Sequence, residues 1–163
     1  EVIDIGPNDS TGSLYFKKLY PRGVRALIEC VDMVRNDVAP RIPQDHSKAT
    51  YEGWCRSKDV FIDWHKPINL IHDLIRGSDP SPGSRTYFKD VELCVYGSSI
   101  VSTVTDGSPG EVMQVTEEGM LIACNDGLIK IKKLKPLGGV KSTALELAEK
   151  LGIGPGSSLN NTK

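Results

Sequence analysis

The sequence predicts an α+β protein: a helical front third and a polar linker, followed by a small antiparallel OB-like β-barrel. Three observations point there. Between Ser10 and Arg35 apolar residues recur close to a 3.6-residue period, as amphipathic helices require. From Asn36 to Asp59 that period gives way to Pro40, Pro43, Gly53 and mixed charges, the composition of a linker. From Thr86 onward, short alternating runs follow one another across tight turns, and closure into a barrel would remove their exposed edges.

Taken in order, Glu1 to Ile5 alternates like a strand and is broken by Gly6-Pro7-Asn8-Asp9. A chain that opens in mid-strand, without an initiating Met, is expected to be a piece of something longer. Asp9, Ser10 and Thr11 are good helix caps, and Pro21 inside the following pattern predicts one helix ending near Tyr20 and a second from Pro21 to about Arg35. Cys30 lies beside that apolar stripe and is expected in or near a core. His46 in the linker reads as a solvated side chain.

Between linker and barrel, Ile62-Asp63-Trp64 offers an anchor for packing. Pro67 then starts a helix with Ile68, Leu70, Ile71, Leu74 and Ile75 on its apolar face and Gly77 as a left-handed stop. His72 and Asp73 are neighbours on that helix and point apart, so they form no dyad. Strands are expected at Thr86 to Phe88, Val91 to Tyr96, Ile100 to Val104, Glu111 to Thr116, Met120 to Cys124 and Leu128 to Leu134. Asn125-Asp126-Gly127 is the strongest hairpin signal among their turns. A last helix is expected from Ser142 to Leu151, and the polar end from Ser157 is expected to fray.

Bulk properties narrow the function classes. At 163 residues the chain holds one domain, or one small domain with an appendage. A net charge of -1 gives no bulk electrostatic case for nucleic acid. Cys30, Cys55, Cys94 and Cys124 form no CxxC pair, so neither a zinc site nor a redox motif is indicated, and no metal is expected. No apolar run approaches the roughly 18 residues a membrane span needs, and no signal peptide opens the chain. The expectation is a cytoplasmic protein, with an organelle as the alternative, and no membrane partner.

Residues for chemistry are few. There is no phosphate loop, HExxH, GxSxG or paired-carboxylate spacing. The one charge feature is Lys130-Ile131-Lys132-Lys133-Leu134-Lys135, with Lys141 beyond it. On a strand Lys130 and Lys132 share one face while Ile129 and Ile131 point inward. With Arg56, Lys58 and Lys135 they are the candidate nucleic-acid residues, each phosphate contact adding salt-sensitive affinity. The alternative is a solvated edge strand whose lysines discourage pairing, and Glu111, Glu117 and Glu118 nearby weigh toward it. Tyr87, Phe88 and Tyr96 would have to supply stacking, and they fit a core better.

The spacing of several short motifs resembles a known family. Thr11-Gly12-Ser13-Leu14-Tyr15, Gly23, Ala39-Pro40, Gln44, Ala49-Thr50-Tyr51, Ile62-Asp63-Trp64, Ile75-Arg76 and Pro80-x-Pro82-Gly83 resemble the carboxy-terminal half of the 10-formyltetrahydrofolate-dependent formyltransferases. The likeness runs from about Ser10 to Leu159. Ala39-Pro40-Arg41-Ile42-Pro43-Gln44 and Ile71-His72-x-x-Ile75-Arg76-Gly77 look most like the hydrolase domain of 10-formyltetrahydrofolate dehydrogenase. Pro80-x-Pro82 and Gly154-Pro155-Gly156-x-x-Leu159 look more like methionyl-tRNA formyltransferase. Ser84-Arg85 departs from the Ala-Trp usual in both.

The resemblance implies four segments: 1–35 as the helical tail of a Rossmann-like catalytic domain, 36–59 as linker, 60–159 as the OB-like barrel and 160–163 as a disordered tail. It implies 10-formyltetrahydrofolate as the cofactor of the parent enzyme, none bound by this fragment, and an amino-terminal catalytic domain as partner. The family's Asn-His-Asp set falls on no residue here, so no catalytic or cofactor-binding residue is assigned. The expected role is to orient an acceptor or support the catalytic domain. Two alternatives remain open: a module that grips tRNA, and a fragment of a sugar-nucleotide N-formyltransferase.

Overall fold

A computed structural model describes residues 2–160 and divides the chain into two compact units, Glu1–Trp54 and Cys55–Lys163. In the first, Ser10 caps the helical run as its neighbours suggest. Its Oγ accepts from the Ser13 N–H at 3.1 Å, and Ser13 Oγ accepts from the Ser10 N–H at 3.0 Å. The run comprises α1 (Thr11–Ser13), a π-helical stretch (Leu14–Leu19) and α2 (Tyr20–Arg35).

No break occurs at Pro21, contrary to the sequence reading. The Tyr20 N–H reaches back five residues to the Tyr15 carbonyl, and this widened turn accommodates a ring that would collide with an ordinary α-turn. The carbonyl of Lys18 accepts instead from Arg22 Nη1 at 3.1 Å. None of the described residues of this unit is buried, and Phe16, Leu27, Ile28 and Val34 are each more than half exposed. Cys30, expected near a core, is exposed for the same reason: the apolar stripe of α2 meets no core within its own unit.

The second unit begins with a tight turn at Ser57–Val60 and continues through α3 (Ile68–Ser78), β1 (Ser84–Phe88), β2 (Val91–Ser102), β3 (Val112–Thr116), β4 (Gly119–Cys124), β5 (Gly127–Pro136), β6 (Ser142–Thr143) and α4 (Ala144–Leu151). All pairings are antiparallel in the order β1-β2-β5-β4-β3, with β6 on the side of β5. Asn125-Asp126 forms the two-residue turn between β4 and β5 that its sequence announces. Asp126 Oδ1 also accepts the Ile68 N–H at 2.7 Å, tying that hairpin to the start of α3.

Several expectations are corrected. Gly77 does not stop α3 with a left-handed residue; the helix runs through it to Ser78 and ends at an extended Asp79. Val91 to Tyr96 and Ile100 to Val104 are not separate strands. Most of both belong to β2, which bends at Gly97 with φ 65°.

The strand ladder is an open sheet rather than a closed barrel, because β1 and β3 do not pair. Each edge is instead bonded to the chain's last described residues. Val112 N–H donates to Ser157 O at 2.8 Å and Leu159 N–H to Gly110 O at 2.9 Å; Tyr87 and Asn160 exchange both backbone bonds at 2.7 and 2.9 Å. The expected fraying from Ser157 is therefore absent as far as Asn160. Residues 161–163, the rest of the expected disordered tail, lie outside the described residues.

The core lies between the sheet and α3 and α4. Trp64, 2 % exposed, packs there with Ile68, Ile75, Leu93, Ile131 and Leu159. Its indole N–H donates to Thr86 Oγ1 at 3.1 Å, and that hydroxyl donates to Asn160 O at 2.8 Å. The anchor, β1 and the terminal segment are thus one hydrogen-bonded chain.

Candidate functional site

Inward residues of β5 determine where its lysines go. Ile129, Ile131 and Leu134 are all fully buried, so the inward phase advances by three residues between Ile131 and Leu134 instead of two. Gly97, opposite this step, supplies the positive φ that lets β2 follow. In consequence Lys130, Lys132, Lys133 and Lys135 all project from the outer surface, with Lys132 and Lys133 exposed and the other two half-buried.

The five basic residues singled out in the sequence are carried by two different elements. Arg56 and Lys58 belong to the tight turn leading to Phe61, whose backbone bridges Arg85 of β1. Lys130 donates to Glu118 Oε2 at 2.9 Å. It borders an open groove of about 530 Å³ lined also by Val101, Gln114, Thr116, Glu117 and Leu121. Of the carboxylates expected to dilute the lysine field, Glu117 and Glu118 lie at this end, while Glu111 accepts from the Ser108 N–H at 2.9 Å; Lys130 holds the Glu118 carboxyl below its ordinary range.

The other end of the face is different. Register places Lys135 opposite Cys94 and Lys133 opposite Tyr96. Lys141, just before β6, holds its ammonium 3.4 Å from the centre of the Tyr96 ring. Tyr96 is 4 % exposed, and burial together with the neighbouring Cys94 thiol and Asp79 pushes its hydroxyl up to about 12. Gly83 gives the ring room on its far side: a Cβ there would stand 2.7 Å from Tyr96 Oη.

On the adjoining strand Arg85 pairs with Glu92, which also accepts from Tyr87 Oη at 3.2 Å, so that carboxylate is already neutralised. Tyr87 stacks on Phe61 with ring centres 5.6 Å apart, and Phe88 lies in the core. Lys133, Lys141 and the buried Tyr96 are the residues that sequence reasoning missed as a group. The signal available was Lys132-Lys133, a doubled polar position in an otherwise alternating strand.

Elsewhere, His72 is buried with Nδ1 2.8 Å from Ser98 Oγ, while Asp73 is paired with Arg76 at 2.7 Å, so the two point apart as expected. Among the described residues there is no group of His, Cys, Asp or Glu suited to a metal ion. No helix among them is long and apolar enough to cross a membrane.

Comparison with known proteins agrees with this geometry. Residues 55–152 match the family described as "Formyl transferase, C-terminal domain", and the second compact unit begins at the same residue, Cys55. The chain is 36 % identical over 131 residues to mitochondrial 10-formyltetrahydrofolate dehydrogenase of Homo sapiens, covering 76 % of this chain and 14 % of that protein. It is 33 % identical over 158 residues to methionyl-tRNA formyltransferase of Desulforamulus reducens, covering 96 % and 50 %. The chain thus spans half or less of these relatives.

Among solved structures, HypX of Aquifex aeolicus superposes with a TM-score of 0.81 at 16 % identity, over 97 % of this chain and 28 % of that one, a likeness of fold. Another HypX structure, solved in complex with tetrahydrofolic acid, superposes with a TM-score of 0.78. With the fold, the domain boundary and the sequence match in agreement, this chain belongs to the formyl transferase C-terminal domain family.

Proposed function

We propose that this chain is the carboxy-terminal part of an enzyme that transfers or hydrolyses the formyl group of 10-formyltetrahydrofolate. The observation that carries the reading is the chain-long likeness to relatives named for that chemistry, with the catalytic Asn-His-Asp set of the resemblance absent here. The catalytic portion of the longer protein would then be the partner of the first unit. What supports this is the unburied face of α2, with Leu27, Ile28 and Val34 exposed, and the exposed Ile42, Tyr51 and Trp54 after it. One of the relatives is mitochondrial, another bacterial, so a cytoplasmic or organellar setting goes with the proposal.

The experiment compares this chain with the full-length protein, following release of tetrahydrofolate from 10-formyltetrahydrofolate. The full-length protein is expected to turn over and this chain alone to be inert; Ile28→Asp in the full-length protein is expected to loosen the attachment and lower activity. Turnover by the isolated chain would overturn the reading.

A second reading is that the sheet unit binds a tRNA. It is favoured by the coverage of a methionyl-tRNA formyltransferase over nearly the whole chain and by the lysine face of β5. Titration with bulk tRNA tests it, salt-sensitive binding being the expected result.

A further inference from the structure

We propose that the seam between β1 and the start of β3 is a strand-acceptor site, filled either by residues 157–160 of its own chain or by the same residues of a second copy, so that two copies pair by exchanging these segments. The inference goes beyond the formyl-transfer reading and does not depend on it.

The seam is built to receive one extended segment. Gly156 N–H donates to Val112 O at 2.9 Å, Val112 N–H to Ser157 O at 2.8 Å and Leu159 N–H to Gly110 O at 2.9 Å. Asn160 N–H donates to Tyr87 O at 2.9 Å, and its carbonyl accepts from Tyr87 N–H at 2.7 Å and from Thr86 Oγ1 at 2.8 Å. Such backbone pairing supplies affinity, and a side-chain pocket supplies selectivity. Here the pocket takes Leu159, buried in one cluster with Trp64 and Ile131. Gly110, with φ 87°, allows the close approach: a Cβ there would stand 2.3 Å from Leu159 O and 3.3 Å from Trp64 Cδ1.

The tether to this segment is a separate piece. Ile153 lies in the core and its N–H is bonded to Ala148 O at 2.8 Å, so the chain is fixed up to that point. Gly154, Pro155, Gly156 and Ser157 then reverse it in a turn closed by the Ser157 N–H on Gly154 O at 2.9 Å. Pro155 and Gly156, whose φ is 83°, stand at the two corners as a type II turn requires. Among the described residues outside the turn, nothing lies within 4 Å of where a Cβ on Gly154 or Gly156 would sit, so the turn opens without disturbing core packing.

Once that turn is extended, the segment leaves its own seam and fills the same seam in a second copy, whose segment returns the exchange by two-fold symmetry. The bonds from Ser157 onward and the Leu159 pocket are then made twice, and the two turns are lost. The balance is set by the tether: a short flexible one holds the segment at an effective concentration on the order of 1 mM, so the closed monomer prevails below that.

Sedimentation of the intact chain from about 10 µM to about 1 mM is expected to show monomer at the low end and dimer at the high end. Gly156→Val places a β-branched residue at φ 83°, which disfavours each closed turn about ten-fold, so its dimer is expected at concentrations about a hundred-fold lower. Adding Leu159→Asp to that variant is expected to abolish the dimer, since an unpaired carboxylate does not enter the Trp64 pocket. A Gly156→Val chain that stays monomeric, or a dimer indifferent to Leu159→Asp, overturns the proposal.

Mixing two further full-length chains separates exchange from a folding defect. Gly110→Ala obstructs the seam and leaves the segment intact, and Leu159→Asp does the converse. Together they are expected to form a heterodimer at concentrations where neither pairs with itself. Native mass spectrometry that finds no heterodimer in the mixture overturns the proposal as well.

Discussion

If the terminal segment is part of the core, shortening one buried side chain in it will cost as much as a mutation in the middle of a strand. Leu159 is the place to ask. It is 1 % exposed, it belongs to the same apolar cluster as Trp64 and Ile131, and its backbone N–H is bonded to Gly110 O at 2.9 Å. Leu159→Ala removes a buried isobutyl group and leaves the backbone bonds in place, so the loss is transfer plus cavity, about 3 kcal/mol within the usual range of 2–5. With a urea m-value of about 1.5 kcal/mol/M for a domain of this size, the midpoint would fall by about 2 M with m unchanged.

Urea unfolding followed by tryptophan fluorescence reads this directly, because Trp64 is buried in the sheet unit while Trp54 is 90 % exposed and changes little. Val104→Ala, at a residue 72 % exposed, is the control and should stay within about 0.5 kcal/mol. A cost for Leu159→Ala as small as that of the control would refute the argument, since it would mean the segment lies on the sheet without completing it.

Further outcomes follow from single contacts. Thr86→Val keeps the shape of β1 but strands the Trp64 indole N–H, while the Asn160 carbonyl keeps its bond from the Tyr87 N–H, so thermal unfolding should move down by the equivalent of about 2 kcal/mol. Asp9 is lowered from 3.8 to about 2, first by its hydrogen bond from Lys18 and then by the Gly6 N–H. A depressed carboxyl contributes stability that is complete above its unfolded value near 3.8 and is lost as pH falls toward 2; by NMR titration, Lys18→Met should return the Asp9 midpoint most of the way to 3.8. Burial, reinforced by Asp126, pushes the Cys124 thiol up to about 12, and Cys94 is also buried; Cys30 and Cys55 are exposed. Iodoacetamide at mildly alkaline pH should therefore label Cys30 and Cys55 in the native chain and reach the other two only in denaturant, as mass spectrometry would count.

Local rules were enough for most of the elements. Ser10 capped its helix, Asn125-Asp126 made its two-residue turn and Trp64 became an anchor, because each depends on residues within a few positions of itself or on plain apolar burial. What was not legible depends on distant partners. Gly77 reads as a stop, but α3 is continued through it by packing of Ile75 on one side and by the Ser78 hydroxyl, 2.8 Å from Ser84 Oγ, on the other. The polar Ser157–Asn160 stretch looks frayed by composition, yet its backbone bonds to the β1 edge at Tyr87 and to the β3 edge at Val112, a use of the chain that leaves no compositional trace.

The charge pattern of β5 was half legible for a related reason. Alternation alone puts Lys130 and Lys132 on the outer face and would turn Lys133 and Lys135 inward with Ile131. Burying two ammonium groups in that core costs far more than a local change of strand phase, so the strand shifts phase between Ile131 and Leu134, opposite the one residue of β2 that takes φ 65° without strain. The doubled Lys132-Lys133 and the facing Gly97 are thus two halves of one device, thirty-five residues apart in sequence and joined only by the ladder. Its effect is to keep four lysines of a single strand out of the core while three apolar residues stay inside. An edge strand could carry lysines merely to discourage pairing, but β5 pairs with β2, β4 and β6 and has no such need. The protective explanation for these lysines therefore loses its basis: what places them outside is the cost of turning an ammonium group toward Ile129, Ile131 and Leu134.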